Sequence, residues 1–332
     1  MSIDTLAILT CALLALLILT TSGSASPIDD EPLMDWSPWE QYRSTVQHPA
    51  GYINSGDMAN ARANIERYEW AGAFAEARVA GAQRELARIT PEFCEMMLAQ
   101  QSVQYCYQCP ACRDKGLAQH PGGNWSWSLD DPEVITCKGC KTVFPNEQYP
   151  ESIVLECASE AGKGQKFSYY GGETFKQWGY AHCRPSFTGM VRFHKVNWCK
   201  NMTYSFALAY ALSGDVEYAE ATRLLLLRFA EVYPRWLLVS NYGEVADLDP
   251  HLAGLCLRQM PVDELVYPPN KPDRVVYNDY WATGRIGGGG MEGLSFTIPM
   301  LQAYEFTRDA KKADGTPVYT DDELRRIERD VL

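Results

Sequence analysis

Two Cys-x-x-Cys pairs constrain the fold of this chain more than any other feature of its sequence. The first is Cys109-Pro-Ala-Cys112 and the second is Cys137-Lys-Gly-Cys140, with residues 113–136 between them. Each pair can bend into a tight turn that points both thiolates at one cation, and two such turns can complete a tetrahedral Zn²⁺ site. A catalytic zinc keeps one coordination position open, whereas four thiolates leave none. The spacing therefore predicts a structural Zn²⁺ held by all four cysteines.

Two alternatives to this assignment stay open at the level of the sequence. The four cysteines can instead form two disulfides, as cysteines of exported proteins often do. Cys106 lies three residues before Cys109 and can replace it as a ligand, although the Cys-Pro-x-Cys turn of Cys109 is the tighter one. Six cysteines outside the metal set have no assigned partner: Cys94, Cys106, Cys157, Cys183, Cys199 and Cys256.

The N-terminus has the pattern of a signal peptide. Residues 6–20 are almost entirely apolar, and the small residues that follow predict cleavage after Ala25. The segment carries Asp4 and no Lys or Arg, so an uncleaved anchor is the alternative, although the apolar run is short for a membrane span. We therefore expect a secreted or periplasmic protein with no stable membrane span once the signal is removed.

The charge of the chain argues against nucleic acid as a partner. The formal net charge is −12, and no run of Lys or Arg forms a basic stripe. Binding to nucleic acid draws much of its free energy from the release of counterions by such basic groups. We therefore assign the cysteine module a role as scaffold and expect no nucleic-acid partner.

Hydrophobic periodicity predicts a mainly α chain with a small β insertion. We divide it into a signal peptide (1–25), a leader with N-terminal helices (26–90), a zinc-ribbon-like module (91–155) and a helical array (156–332). One long or two short helices are predicted over 57–89, and single helices over 197–212, 216–233 and 293–308, the last kinked at Pro299. His194 and Asn197 are expected at the start of the second of these helices as caps, with a functional role as the alternative. The second and third form an antiparallel hairpin, and Thr320 with Glu323 forms a capping box for a final helix.

The helical array resembles a known family. The residues that carry the resemblance are Leu208–Ala219, Phe229–Pro234, Tyr280-Trp281, Gly284-Arg285, Glu292, Ala303–Thr307 and Ile327–Asp330. Their order and spacing are similar to the N-terminal α/α-toroid of heparinase II/III-like and alginate-lyase-like polysaccharide lyases. Larger members of that family also carry an inserted pair of Cys-x-x-Cys turns. The resemblance covers roughly residues 57–332 and implies an incomplete α/α-toroid with a small zinc-ribbon-like β insertion.

The resemblance also implies an activity, which is β-elimination of acidic polysaccharides that contain uronic acids. A base removes the C5 proton while another group neutralises the neighbouring carboxylate, and an acid assists the leaving group. In the family these residues lie in a later toroid segment, followed by a β-sandwich. We therefore expect this chain to be the N-terminal part of a longer lyase, with its catalytic residues beyond Leu332.

Five residues of the array are candidates for contacts to substrate: Tyr242, His251, Tyr280, Arg285 and Glu292. Arg285 suits a uronate carboxylate because its guanidinium can donate two parallel hydrogen bonds. The same residues have ordinary structural explanations, since aromatic residues after helices commonly pack and a loop histidine commonly caps. Two other functions remain open, namely a non-catalytic secreted glycan-binding or scaffold protein and a hydrolase, which needs a pair of carboxylates.

Overall fold

The computed structural model describes residues 37–43, 45–103, 106, 108–119, 125–177, 181–240, 243–250, 253, 266–267, 281–286 and 292–332. The predicted signal peptide and the candidates Tyr242, His251 and Tyr280 lie outside the described residues. The chain divides into two units, Met1–Val46 and Gln47–Leu332. In the first unit the described structure contains one helix, α1 (Ser37–Arg43).

The second unit is mainly helical, which confirms the predicted class for the described part of the chain. Its helices are α2 (Ser55–Arg67), α3 (Glu69–Leu86), α4 (Pro91–Met97), α5 (Pro110–Asp114), α6 (Phe187–Ser213), α7 (Val216–Val232), α8 (Ile298–Thr307) and α9 (Asp321–Asp330). A 3₁₀ turn, Tyr233–Arg235, follows α7, and a π-helical turn, Gly293–Thr297, precedes α8. None of the described helices combines the length and apolar character needed to cross a membrane.

The strands of the second unit are short and pair only in antiparallel fashion among the described residues. They are β1 (Trp125–Ser128), β2 (Asp131–Cys137), β3 (Val143–Phe144), β4 (Ile153–Glu156), β5 (Lys166–Tyr169), β6 (Phe175–Gln177), β7 (Ala181–Cys183), β8 (Val239–Ser240), β9 (Val245–Ala246), β10 (Val266–Tyr267) and β11 (Trp281–Gly284). They form a three-stranded sheet β1-β2-β3, a four-stranded sheet β10-β9-β8-β11, and the pairs β4-β5 and β6-β7.

The predicted hairpin of two long helices is present as α6 and α7. Gly214 ends α6 in the left-handed region at φ 77°, and its N–H donates to the Tyr210 carbonyl over 2.7 Å. A left-handed residue at this position is a common helix stop, and glycine adopts it without a Cβ clash. Asp215 then caps α7 by accepting from the Glu217 N–H over 3.1 Å. The break therefore has a local cause in two consecutive residues, Gly214 and Asp215.

Helix α6 begins ten residues earlier than the sequence pattern predicts, so His194 and Asn197 lie inside it and do not cap it. The actual cap is Ser186, whose Oγ accepts from the Gly189 N–H over 3.0 Å. A second acceptor, the Glu151 carboxylate, receives the Phe187 N–H over 2.6 Å. Because Glu151 is far away in sequence, helical periodicity gives no indication of this start.

Helix α6 is the centre of the helical core. It packs against α3, α7 and α8, while α9 packs against α7. The rings of Phe206 in α6 and Tyr218 in α7 stack with centroids 6.4 Å apart, and Phe229 meets Phe296 at 5.1 Å. All four side chains are almost completely buried. The apolar run that predicts a buried helix therefore lines the interface of the hairpin.

The predicted helical segment 57–89 consists of two helices. Asn54 starts α2 with a capping box, in which its side chain accepts from Asp57 N–H and Asp57 accepts from the Asn54 N–H. Tyr68 is extended at φ −120° and separates α2 from α3. Helix α2 has no buried residue, whereas α3 buries three alanines at helical spacing, Ala71, Ala75 and Ala82.

Candidate metal centre

The first Cys-x-x-Cys turn is formed by the start of α5. Cys109 is the N-cap residue, Pro110 occupies the first turn, and Cys112 lies inside the helix. Proline suits this position because a backbone N–H there would have no acceptor within the helix, so its absence costs nothing. The proline ring also fixes φ at a helical value. The amide of Gln119 fixes the Cys109 backbone from both sides, accepting from its N–H and donating to its carbonyl, each over 2.9 Å. The turn is therefore held by local sequence.

The second turn connects β2 to β3. Cys137 is the last residue of β2, and its N–H donates to the Thr142 carbonyl over 2.9 Å. The chain reverses through Lys141, which adopts φ 62° and donates its N–H to the Cys137 carbonyl over 2.8 Å. Cys140 lies inside this reversal, so its sulfur points back towards that of Cys137.

The two turns bring the four sulfur atoms together. All of them lie within 4.8 Å of one another. The distance between the sulfurs of Cys109 and Cys140 is 3.7 Å, and that between Cys112 and Cys137 is 3.5 Å. A tetrahedron with zinc–sulfur bonds of about 2.3 Å has edges of about 3.8 Å. Each of these contacts joins a sulfur of the first turn to a sulfur of the second. The arrangement is compatible with one tetrahedral metal ion.

The pKa values of Cys109, Cys112 and Cys140 differ with the surroundings of each thiol. Burial raises the pKa of Cys109, and it raises that of Cys112 to about 11 together with hydrogen bonds to Cys137 and Cys140. Burial also acts to raise the pKa of Cys140, but hydrogen bonds from Thr142 outweigh it and bring this pKa down to about 6. A cation that binds here therefore meets one thiol, that of Cys140, which ionises easily, and displaces the protons of Cys109 and Cys112.

Cys106 is not part of this group. Its side chain is 2 % exposed in the same buried cluster as Cys183, and its sulfur is outside the set of four that lie within 4.8 Å of one another. The structure thus supports Cys109 as the first ligand of the predicted set.

An aromatic cluster connects the cysteine module to the helical core. The ring of Phe187, the first residue of α6, stacks on that of Phe144 in β3 with centroids 4.2 Å apart. Trp125 in β1 meets both rings edge-on, at 5.5 Å from Phe144 and 6.2 Å from Phe187. The buried ammonium group of Lys195 in α6 pairs with Glu133 in β2. The module is therefore part of the fold around α6.

The two described candidates for substrate binding, Arg285 and Glu292, lie together. One carboxylate oxygen of Glu292 accepts the N–H groups of Arg285 and Ile286 over 2.5 and 3.1 Å, and the other accepts the hydroxyl of Tyr233. The guanidinium of Arg285 lies 5.0 Å from the centre of the Tyr233 ring and donates to the Tyr233 carbonyl over 3.0 Å. Both candidates therefore make internal contacts.

Sequence reasoning missed two residues that support this cluster. Burial, together with the neighbouring Glu292 carboxylate, raises the pKa of Tyr233, so its hydroxyl stays protonated and can donate. The fully buried amide of Gln101 donates to the Arg285 carbonyl over 2.6 Å and accepts from the Leu237 N–H over 2.6 Å. Gln101 stands in no recognisable motif, whereas Tyr233 ends a predicted helix and belongs to the run Phe229–Pro234 that carries the resemblance.

In comparisons with known proteins, the sequence matches no family model, and no curated protein and no solved structure matches the chain. A functional assignment therefore rests on the motifs of the sequence and the geometry of the described residues.

Proposed function

We propose that this chain is the N-terminal part of a secreted or periplasmic polysaccharide lyase that cleaves uronic-acid-containing glycans by β-elimination. The observation that carries the proposal is the hairpin of α6 and α7. The residues on which the resemblance rests, Leu208–Ala219, span the end of α6, the break and the start of α7. Paired antiparallel helices that share one core are the building unit expected of an α/α-toroid, and α8 and α9 pack on the same pair.

The proposal assigns the four cysteines to a structural Zn²⁺. The sulfur–sulfur distances of 3.5 and 3.7 Å support it, because they are close to the edges of a zinc–thiolate tetrahedron. Four thiolates complete the coordination shell, so the ion would contribute stability to the module and would take no part in the elimination.

Arg285 is the described residue best suited to hold a uronate. A guanidinium can neutralise the carboxylate next to the C5 carbon and so favour loss of the proton there. In the described structure it donates to the Tyr233 carbonyl, which holds the side chain in one orientation. The residues that transfer the proton are expected in a later toroid segment, as the resemblance implies.

The test uses the absorbance of the product. Elimination creates an unsaturated uronate that absorbs in the ultraviolet, whereas hydrolysis gives reducing ends without this absorbance. We expect no absorbance change on alginate or heparan-type glycans with the 332-residue chain, and a steady increase with a chain extended through the expected later domains. In the extended chain, Arg285→Ala should lower kcat/KM about tenfold or more. Absorbance growth with the short chain would place the catalytic residues within it instead.

A second candidate function is non-catalytic. The chain would be a protein with a structural zinc site that binds a glycan or serves as a scaffold. The observation that favours it is the internal use of both described candidates, since Glu292 accepts backbone N–H groups and Arg285 binds the Tyr233 carbonyl. Such a protein would be retained on an immobilised uronate polysaccharide without producing unsaturated ends or reducing ends, whichever length of chain is used.

A further inference from the structure

Three aromatic side chains are exposed at the junction of α2 and α3. Trp70 is 69 % exposed, Phe74 is 47 % exposed, and Tyr68, which separates the two helices, is exposed as well. The rings of Tyr68 and Trp70 stack, with centroids 6.2 Å apart and an angle of 21° between their planes. We call these three residues the aromatic platform. Exposed groups of large apolar side chains on a folded chain commonly mark a binding site.

The aromatic platform lies on a side of α3 that the helical core leaves uncovered. Successive residues of an α-helix are rotated by about 100°, so Trp70 and Phe74 lie within about 40° of each other. The alanines that α3 buries, Ala71, Ala75 and Ala82, lie about 100° to 140° round the helix from Trp70. Packing of α3 in the core therefore accounts for the alanines and does not account for the aromatic rings.

Arginines surround the aromatic platform. The guanidinium groups of Arg67 and Arg78 lie over two of its rings, 5.2 and 4.9 Å from the ring centres. A guanidinium nitrogen of Arg84 lies 3.9 Å from the position that a Cβ on Gly81 would take, and Gly81 continues the same face two turns beyond Phe74. Within the described part of the chain, none of these three arginines forms an ion pair with a carboxylate. Their N–H groups can therefore donate to a ligand.

The acidic residues of α3 lie away from these arginines. Glu69 and Glu76 are placed about 160° to 180° round the helix from Arg78. Glu85 is paired with Arg88 over 3.2 Å. The charged groups that the structure places on the rings of the aromatic platform are thus guanidinium groups, although the chain as a whole carries a net charge of −12.

We propose that the aromatic platform and its arginines bind an acidic polysaccharide, on elements other than those that carry Arg285 and Glu292. That the acidic sugar is a uronate rests on the proposed function. A sugar ring presents C–H groups on its faces, and these pack against the electron-rich face of an aromatic ring. A uronate carboxylate can accept two parallel hydrogen bonds from one guanidinium. A polymer held here in addition to the cleft would stay bound between encounters of its other segments with the protein.

Charge favours a glycan over a second copy of the chain as the occupant of this surface. In a symmetric dimer the same surface of both copies would meet. Arg67 and Arg78 would then face the same arginines of the other copy, and like charges brought together in this way oppose association. A polysaccharide that carries carboxylates supplies the opposite charge.

Calorimetric titration of the full 332-residue chain tests the proposal. The probes are alginate and heparin oligosaccharides, with dextran oligosaccharides as uncharged sugars and an oligothymidylate as another polyanion. We expect binding to at least one of the acidic glycans and weaker binding to the other two probes. Trp70→Ala should raise the Kd of the acidic glycan about fivefold or more and leave its salt dependence unchanged. Arg78→Gln should raise the Kd about threefold and make it less dependent on salt.

Two matched controls change side chains elsewhere. Tyr52→Ala removes an aromatic ring that is 68 % exposed and lines a cleft with Leu301 of α8. Lys163→Gln removes one exposed positive charge in the segment between β4 and β5. Both should keep the wild-type Kd. Because all four altered side chains are exposed, the helical circular dichroism of every variant should match that of the wild type.

Several results would overturn the proposal. They are a wild type that binds neither acidic glycan, a Kd that Trp70→Ala does not change, and dextran or oligothymidylate bound as tightly as the acidic glycan. A wild-type dimer that Trp70→Ala dissociates would assign the surface to a second copy instead. The titration needs no elimination, so its failure would leave the lyase proposal to the absorbance test. Binding at the platform without elimination by the extended chain would reject the lyase and retain the glycan surface.

Discussion

At the scale of single residues, Thr142 distinguishes Cys140 from the other cysteines of the metal group. The hydroxyl of Thr142 lies 3.2 Å from the Cys140 sulfur and stabilises a thiolate there. Lys115 lies on the same side, with its ammonium nitrogen 3.4 Å from the Cys140 carbonyl. Residues that contact a ligand in this way orient it and tune its affinity for the metal. Thr142 is two positions beyond the Cys-x-x-Cys motif, so the motif alone does not reveal it.

The first prediction concerns the identity of the ligands. Cys112→Ser or Cys137→Ser should each abolish stoichiometric zinc binding, because a tetrahedral site that loses one thiolate binds far more weakly. Elemental analysis of protein purified without chelators should give about one zinc per chain for the wild type. Cys157→Ser, which changes a cysteine outside the group, should retain it. A wild type that carries no metal and has these cysteines in disulfides would show that the zinc assignment is wrong.

At the scale of elements, α9 is attached by its first turn. Thr320 and Glu323 form the capping box that the sequence predicts, with the Thr320 N–H donating to Glu323 over 2.9 Å. The same carboxylate accepts from Arg223 in α7, over 2.9 Å from Nε. Leu324 and Ile327 are buried on the same side of the helix. The Glu323 carboxylate thus both caps the start of α9 and holds this helix against α7.

The second prediction tests that ion pair. Burial acts to raise the pKa of Glu323, but the hydrogen bonds from Arg223 and Thr320 outweigh it, so its pKa lies below the ordinary 4.5. A carboxyl group whose pKa is lowered by folding stabilises the folded chain at pH values above its ordinary pKa. This stability is lost as the pH falls through the folded-state pKa. Glu323→Gln keeps the capping oxygen but removes the charge. It should lower the free energy of unfolding at neutral pH by about 1 to 2 kcal/mol.

Urea unfolding at neutral pH and in acid checks this prediction. The difference between wild type and Glu323→Gln should shrink as the pH falls below 4.5, because the carboxylate of the unfolded wild type is protonated first and that of the folded protein is protonated at lower pH. Asp322→Asn is the matched control, since it removes the neighbouring exposed carboxylate of the same turn. A pH-independent difference would mean that the effect of Glu323 is steric and not electrostatic.

At the scale of the whole molecule, the long helix α6 joins two cores. Its first residue, Phe187, belongs to the aromatic cluster of the cysteine module, and its later residues, such as Phe206, belong to the helical core. Residues of α6 also pack against β2 and β5. Because one rigid helix takes part in both cores, loss of order in the cysteine module should also destabilise the hairpin of α6 and α7.

The third prediction measures this connection. Removal of the metal with a chelator should lower the thermal midpoint followed by helical circular dichroism, although the four ligands lie outside α6. Phe187→Ala should destabilise the chain by about 3 to 5 kcal/mol and make the chelator-induced shift smaller, because the contact between module and helix is lost. Phe229→Ala is the matched control, an equally buried phenylalanine of the helical core. It should destabilise the chain and leave the shift unchanged.

The sequence by itself determined the features that are local along the chain. Each Cys-x-x-Cys pair predicts two neighbouring sulfurs because three-residue spacing already imposes the turn, and in the structure the two pairs lie together. The break at Gly214 and the capping box at Thr320 were predicted for the same reason, since each depends on hydrogen bonds between residues at most four positions apart.

Only the tertiary structure decided the features that depend on distant partners. Glu151 moves the start of α6 to Phe187, across a separation in sequence that no local pattern encodes. Glu292 likewise has its role set by Tyr233, which lies on another element. The physical reason is the same in each case. Periodicity and spacing report the conformation of a short stretch of chain, whereas the partner of a buried polar group is fixed by how separate elements pack.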